Sequence, residues 1–363
     1  MKKYFSFLLV LAVVFMFSAC SEKFNVAAPY KSITVIYGLL DKADTAHYVR
    51  IQKAYLDENK SALLMAQVAD SNFFSAINVK IEMIDLSSGL VFSTIIPNRV
   101  DLAAEGYPKD SGAFFNSPNY AYKFKTDLNP NYLYRIVVNN PGSGETDSAD
   151  APVIDDVTLN SLIVYFIDDT LKNRGGFDFA STNQYQTVDI VGQYTPPANF
   201  NLNGNTSPAG IAQGFIRFHW VDSNIYNGAK TPNYGDYSLG YSGFTQNAFQ
   251  YSPKDLDLYG AVNSVMGIAP SNIRRLLDRC ELYFYLGTYD FYNYIEAESI
   301  QGTGLTGSDI QPVYTNIKGK NVVGLFTSRG LRHGYITLTN QTVDSLVFSP
   351  ITANAKIVGT VYH

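Results

Sequence analysis

The chain has 363 residues, with 27 Lys and Arg against 32 Asp and Glu, a formal charge of -5, 46% hydrophobic residues and only 16% charged ones. That length suffices for two cores; the composition excludes global disorder, and the charge offers no basic field for nucleic acid. With 27 Tyr, 23 Phe and 27 Gly, the expected class is mostly β.

Met1-Lys2-Lys3 precedes an apolar run over 4–17 interrupted only by Ser6, and Ser18-Ala19-Cys20 follows. Residues 1–19 read as a secretory signal, too short to span a membrane. Two small residues before a cysteine resemble a bacterial lipobox, in which Cys20 becomes the acylated N-terminal residue; Phe17 stands where that pattern usually has Leu. Acylation would make the lipid bilayer a partner through Cys20. Residues 20–30 are then a lipidated tether. Ser21-Glu22-Lys23 holds a single acid, a weak match to acid-rich surface-export signals, so the periplasmic or cell-surface face is left open. Cys280 is left without a partner and, in an apolar strand-like run, is expected to be a buried small hydrophobe.

From residue 31 the pattern is of short alternating segments. Strands over 32–40 and 47–55 flank a polar turn and form a hairpin. A helical stretch over 61–68, strands over 76–86 and 90–96, and a long loop over 97–118 follow. Strands over 120–126 and 132–139 are expected to pair as a second hairpin, with a last short strand after Pro141-Gly142-Ser143-Gly144. The turn spacing suggests an immunoglobulin-like β-sandwich over 31–150.

The boundary is expected within 149–156, and 151–363 is read as a larger β-rich α+β domain with a few short helices. Strands are expected over 157–167, 184–191, 211–221 and 280–287, and again over 322–326, 335–339 and 355–362. Helices are expected over 253–266, with Ser252 as cap and Pro253 in the first turn, over 271–277 and over 288–300. Residues 192–210 read as a loop. Tyr226, Tyr234, Tyr237 and Tyr241 crowd a Gly/Asn-rich segment that reads as loop, and form a candidate binding surface.

Motifs of chemistry find little support. Gly302 to Gly307 matches G-x-G-x-x-G, but Pro312 interrupts any following helix, so a surface loop is favoured. His47, His219, His333 and His363 show no zinc spacing, and His219 is expected to be a packed strand residue. Asp127-x-Asn129-x-Asn131 lacks the glycine and distal acid of a calcium loop. Neither Asp155-Asp156 nor Asp168-Asp169 is itself an acid/base pair, because neighbours on a strand face opposite ways. No catalytic residue, metal or cofactor is therefore expected. Asp followed by Ser or Thr and a small or aliphatic residue recurs at Thr45, Ser148, Thr170 and Ser345, similar to the O-glycan acceptor pattern of exported Bacteroidota proteins. All four are expected at turns or element edges.

Taken together, the lipobox, Ile36-Tyr37-Gly38-Leu39-Leu40-Asp41 into His47-Tyr48-Val49-Arg50-Ile51, Tyr132-Leu133-Tyr134-Arg135-Ile136 before a Pro-Gly turn, and the late Val313-Tyr314-Thr315-Asn316-Ile317 with Gly324-Leu325-Phe326-Thr327-Ser328-Arg329 resemble a Bacteroidota outer-membrane lipoprotein family of unknown function. Its members are commonly encoded beside TonB-dependent receptors. The resemblance implies an outer-membrane, lipid-anchored location and a receptor or other envelope protein as partner; it carries over no catalytic residue. The expected function is non-enzymatic binding of a partner protein or ligand. Two alternatives stand beside it: a glycan-binding surface lipoprotein, and a hydrolase whose site is assembled from distant segments.

Overall fold

The structure, a computed structural model, describes residues 31–56, 61–112, 115–155, 157–159, 164–167, 170–173, 177–179, 189–301 and 314–361. It is mostly β. The first half contains β1 (Lys31–Asp41), β2 (Ala46–Leu56), short helices α1 (Ala62–Ala66) and α2 (Ala69–Asn72), β3 (Asn78–Asp85), β4 (Val91–Ile95), β5 (Asn98–Asp101), β6 (Tyr120–Lys125), β7 (Tyr132–Asn140) and β8 (Glu145–Pro152). The second half holds β9 (Val157–Leu159), β10 (Val164–Ile167), β11 (Thr170–Asn173), β12 (Ile190–Tyr194), β13 (Ala209–Asn224), β14 (Lys230–Gly243), β15 (Ala248–Tyr251), α3 (Asp255–Met266), β16 (Ile273–Thr288), α4 (Tyr289–Gln301), β17 (Val322–Ile336), α5 (Asn340–Phe348) and β18 (Ile357–Thr360).

One sheet runs through both halves in the order β14-β13-β16-β17-β1-β2-β6-β5, with β18 added beside β16. The joint is the parallel pairing of β1 with β17, Thr34 opposite Val322 through Asp41 opposite Arg329. Gly324 makes it possible: at φ +132° an added Cβ would lie 1.9 Å from the Ile36 carbonyl oxygen. A four-stranded sheet, β4-β3-β7-β8, faces the β1, β2 and β6 end. Ile36, Val49 and Phe124 from one sheet and Ile81, Ile136 and Ala149 from the other share a core, to which Ile317, Val322 and Phe326 also contribute. A second core begins at Ile154 and lies on the inner face of β13 and β16, under α3, α5 and the β12–β15 pair. The two cores meet in sequence where the boundary was expected, yet the sheet crosses that point unbroken.

Several expected elements differ from those observed. The hairpin of 120–126 with 132–139 does not form: β6 pairs with β2 and β5, whereas β7 pairs with β3 and β8. The turn between them crosses from one sheet to the other, and the buried Tyr134 hydroxyl accepts the Asn129 N–H at 3.0 Å, a contact similar to the tyrosine corner of β-sandwiches. Within the expected loop 97–118, Asn98–Asp101 pairs with β6 as β5. The Gly/Asn-rich tyrosine segment is mostly strand β14, because β13 supplies a ladder of partners along its length.

Residues 273–277 are the start of β16 rather than a helix. Ile273, Leu276 and Leu277 imitate helical spacing, but Arg275 is buried and pairs with Asp222 at 3.0 Å, giving the strand a polar inward residue. Helix α3 starts two residues later than expected, with Lys254 as its cap and the Asp257 carboxylate accepting the Lys254 N–H at 3.2 Å. The separate strands expected at 322–326 and 335–339 are largely one strand, β17, ending at Ile336. The helix α5 had no counterpart in the sequence reading; Thr339 caps it, its hydroxyl accepting the Thr342 N–H at 3.1 Å.

Candidate functional site

Strands β13 and β16 alternate strictly over their central residues. Ile216, Phe218, Leu282 and Phe284 point into the second core, which leaves Arg217, His219 and Tyr283 on the opposite, solvent-facing side. Register aligns the outer residues across four strands. Arg217 lies opposite Asp236 of β14 and Glu281 of β16, and Glu281 lies opposite Tyr335 of β17. Tyr283 lies opposite His333, and His219 lies opposite Tyr234. A register irregularity between β13 and β16 beside Phe218 and Trp220 accompanies His219 onto this face.

The result is a ladder of rings and charges. The Arg217 guanidinium sits 4.4 Å from the Tyr234 ring and 4.7 Å from the Tyr283 ring. Tyr283 in turn stacks on His333, with centroids 5.4 Å apart and planes inclined by 13°. Arg217 also donates a bidentate pair to Asp236, at 2.6 and 2.8 Å, and a bond to the Tyr283 hydroxyl at 3.0 Å. That bonding raises the Arg217 pKa and lowers that of Asp236. Arg279 covers the Tyr335 ring at 4.5 Å.

Glu281 is the centre of this face and is only 2% exposed. Its carboxylate meets His333 Nδ1 at 2.9 Å and His219 Nε2 at 3.4 Å. Burial pushes its pKa up, but hydrogen bonding from Tyr283, His333 and His219 outweighs this and holds it below the ordinary carboxylate value. Burial and the neighbouring Glu281 together raise the Tyr283 phenol. Among the described residues, no group of three or more His, Cys, Asp and Glu side chains is placed to hold a metal ion.

His333 also borders a cavity of about 410 Å³ that opens where β1 ends and β17 continues. Ile154, Leu286 and Leu331 give it apolar walls, and Asp41, Lys42, Asp155 and Arg332 line it with both signs of charge. Lys42 pairs with Asp155, and Asp41 with Arg329 at 3.0 Å.

The expected tyrosine surface is divided by the fold. Tyr234 belongs to the ladder; Tyr237 faces the other way and packs against the second core. Tyr226 stands on the β13–β14 turn and is 81% exposed, and Tyr241 is exposed farther along β14. Sequence reading missed Arg217, Glu281, Tyr283, His333 and Tyr335. The period-two run Glu281, Tyr283, Tyr285 on an expected strand was the available signal, but only register unites it with β13 and β17.

Thr45 lies on the exposed β1–β2 turn and Thr170 begins β11. Ser148 and Ser345 do not match the expected turns or edges: Ser148 is half-buried within β8, exchanging backbone bonds with Lys318, and Ser345 is half-buried within α5. Cys280 is buried in the second core, and burial raises its thiol pKa. Asn129 closes a turn by accepting the Asn131 N–H at 2.9 Å. Cys20 and its tether, Asp156, Asp168, Asp169, His363 and the glycine motif over 302–307 lie outside the described residues.

No protein-family model matches the chain, and no curated protein matches it. Among solved structures, the C-terminal globular domain of an oligosaccharyltransferase from Pyrococcus abyssi aligns with 85% of this chain and 46% of its own, at 7% identity and a TM-score of 0.16. The chain thus spans under half of that structure. No helix among the described residues is long and apolar enough to cross a membrane.

Proposed function

We propose that this chain is a lipid-anchored outer-membrane protein of the Bacteroidota type suggested by its N-terminus, and that it binds a partner protein without catalysing a reaction. The observation that supports binding is the ladder face. Tyr234 is 62% exposed and Tyr335 46% exposed, and Arg217 and Arg279 lie against their rings. Tyr and Arg held in place by their neighbours are the residue types enriched where proteins meet. Here the guanidinium groups are already oriented by stacking and ion pairing, so little side-chain freedom is lost on association. A TonB-dependent receptor or another envelope protein is the partner in this reading.

A glycan is the second ligand class for the same face, favoured by the exposed rings of Tyr335 and Tyr285 beside hydrogen-bonding groups. The test is a mild-detergent pull-down from the native envelope with wild-type chain, a Cys20→Ala release control and a Tyr234→Ala/Tyr335→Ala variant. Capture of a barrel receptor by wild type and its loss in the face variant support a protein partner. A gel shift on envelope glycan that the same variant abolishes supports the second class; capture unchanged in the variant rejects the face.

A further inference from the structure

Three segments meet at the end of the large sheet that lies farthest from the start of β1. The β13–β14 turn joins the loop before β16 through the Ile225 N–H donating to the Asn272 carbonyl at 2.9 Å. That loop joins the β18 segment through Ala269 N–H to Asn354 O at 2.9 Å, and Lys356 Nζ donates to Pro270 O at 2.9 Å. On these segments the apolar side chains are turned out: Tyr226 is 81% exposed, Ile268 80%, and Ile225 and Val358 each 51%. Nothing in the packing of either core requires an isoleucine or tyrosine there, because none of these four belongs to the cores.

The charge of this end opposes that of the chain. Residues 222–230, 267–275 and 352–361 contain Lys230, Arg274, Arg275 and Lys356 but only one carboxylate, Asp222, which is paired with Arg275. Three positive charges therefore remain on an otherwise acidic protein of formal charge -5. Arg274 and Lys356 bond to backbone carbonyls at the tip itself, which holds these cations beside the exposed isoleucines. Separate turns presenting single apolar side chains among cations form no groove for a protein segment. They match a surface with anionic headgroups above an apolar layer, where side chains enter and cations stay at the headgroups.

We infer that this end of the sheet is a contact surface for anionic lipid. The contact does not rest on acylation of Cys20. It has a consequence if that anchor is present: Thr34 of β1 lies beside Val322, and β17 then β16 carry the sheet from there to Ile273, opposite Asn224. Twenty or so strand residues span roughly 65 Å, whereas an eleven-residue tether reaches about 40 Å at most. Both ends then touch one bilayer only when the sheet is tilted well away from upright.

The test uses the full chain with vesicles of phosphatidylcholine alone or mixed with phosphatidylglycerol, and follows amide exchange over 225–229 and 267–272. The expected result is slowed exchange on the anionic vesicles only, reversed by salt. Tyr226→Ser with Lys230→Glu removes that slowing while exchange within β13 and β16 is unchanged, and loss of one cation alone weakens attachment about fivefold. Equal exchange on the two vesicle types overturns the inference, as does slowing that survives the double variant. Slowing caused by lipid-free envelope protein and not by vesicles also overturns it, and assigns the tip to a protein partner.

Discussion

The two cores share a sheet but are enclosed in different ways. Around the first, β1, β2 and β6 face β3, β7 and β8, and apolar side chains from both walls interdigitate. Around the second, α3, α5 and a small sheet cover the inner face of β13 and β16. Helix α4 packs through Phe291 against Gly287 and Ile211 at one end of the outer face, and the rest of that outer face carries Arg217, Glu281, Tyr283 and His333 joined to one another. A sheet covered on one side must present something to solvent on the other. In the first region that surface shows Tyr37 and Leu39; in the second it is a connected network spanning four strands. The contrast separates residues that hold the fold from residues available for recognition, and substitution can break it at either end.

The largest effect is expected inside the second core. Phe284 is fully buried against Phe249 and Tyr251, with centroids 5.2 and 6.0 Å away. Phe284→Ala should cost about 3–5 kcal/mol in denaturant unfolding. In the first region, Asp147 is 2% exposed and one carboxylate oxygen has no hydrogen-bond partner. Burial, then the nearby Glu145 charge, pushes its pKa up from 3.8 to about 6. The folded state therefore binds a proton that the unfolded chain releases between those values, and this group's contribution to stability grows as pH falls from above 6 and is lost as pH rises through it. Asp147→Asn should stabilise the protein at neutral pH by about 1–3 kcal/mol and remove that dependence, read from unfolding midpoints across pH.

Glu281 has the opposite sign. Its folded pKa is held below the ordinary 4.5, so its contribution is complete above that value and is lost on further acidification. Glu281→Gln should cost about 1.5 kcal/mol at neutral pH and flatten the acid limb of the stability curve. The smallest effect on stability belongs to the outermost rings: Tyr234→Ala and Tyr335→Ala should each change unfolding by about 0.5 kcal/mol or less.

Much of the strand content was legible because period-two patterns are local. The β1–β2 turn, the interior of β13, the apolar part of β16 and helix α4 follow from alternation, turn residues and spacing. What was hidden depends on partners distant in sequence. Gly324 shows its role only once Ile36 lies against it, and β14 looks like a loop until β13 supplies its ladder. Residues 273–277 look helical until Asp222 receives Arg275. The candidate site was hidden for the same reason. Tyr234 was singled out for its composition, but Arg217, Glu281, Tyr283 and His333 become one surface only through register.

In the proposed function the ladder face, rather than the cores or the tether, selects the partner. The most direct measurement compares wild-type chain with the Tyr234→Ala/Tyr335→Ala variant in capture from the native envelope, with both proteins first shown to unfold at the same midpoint. Wild type is expected to retain a discrete envelope protein, and the variant to lose it by about tenfold or more, the effect of removing interface anchors. Equal capture by two equally stable proteins would contradict it.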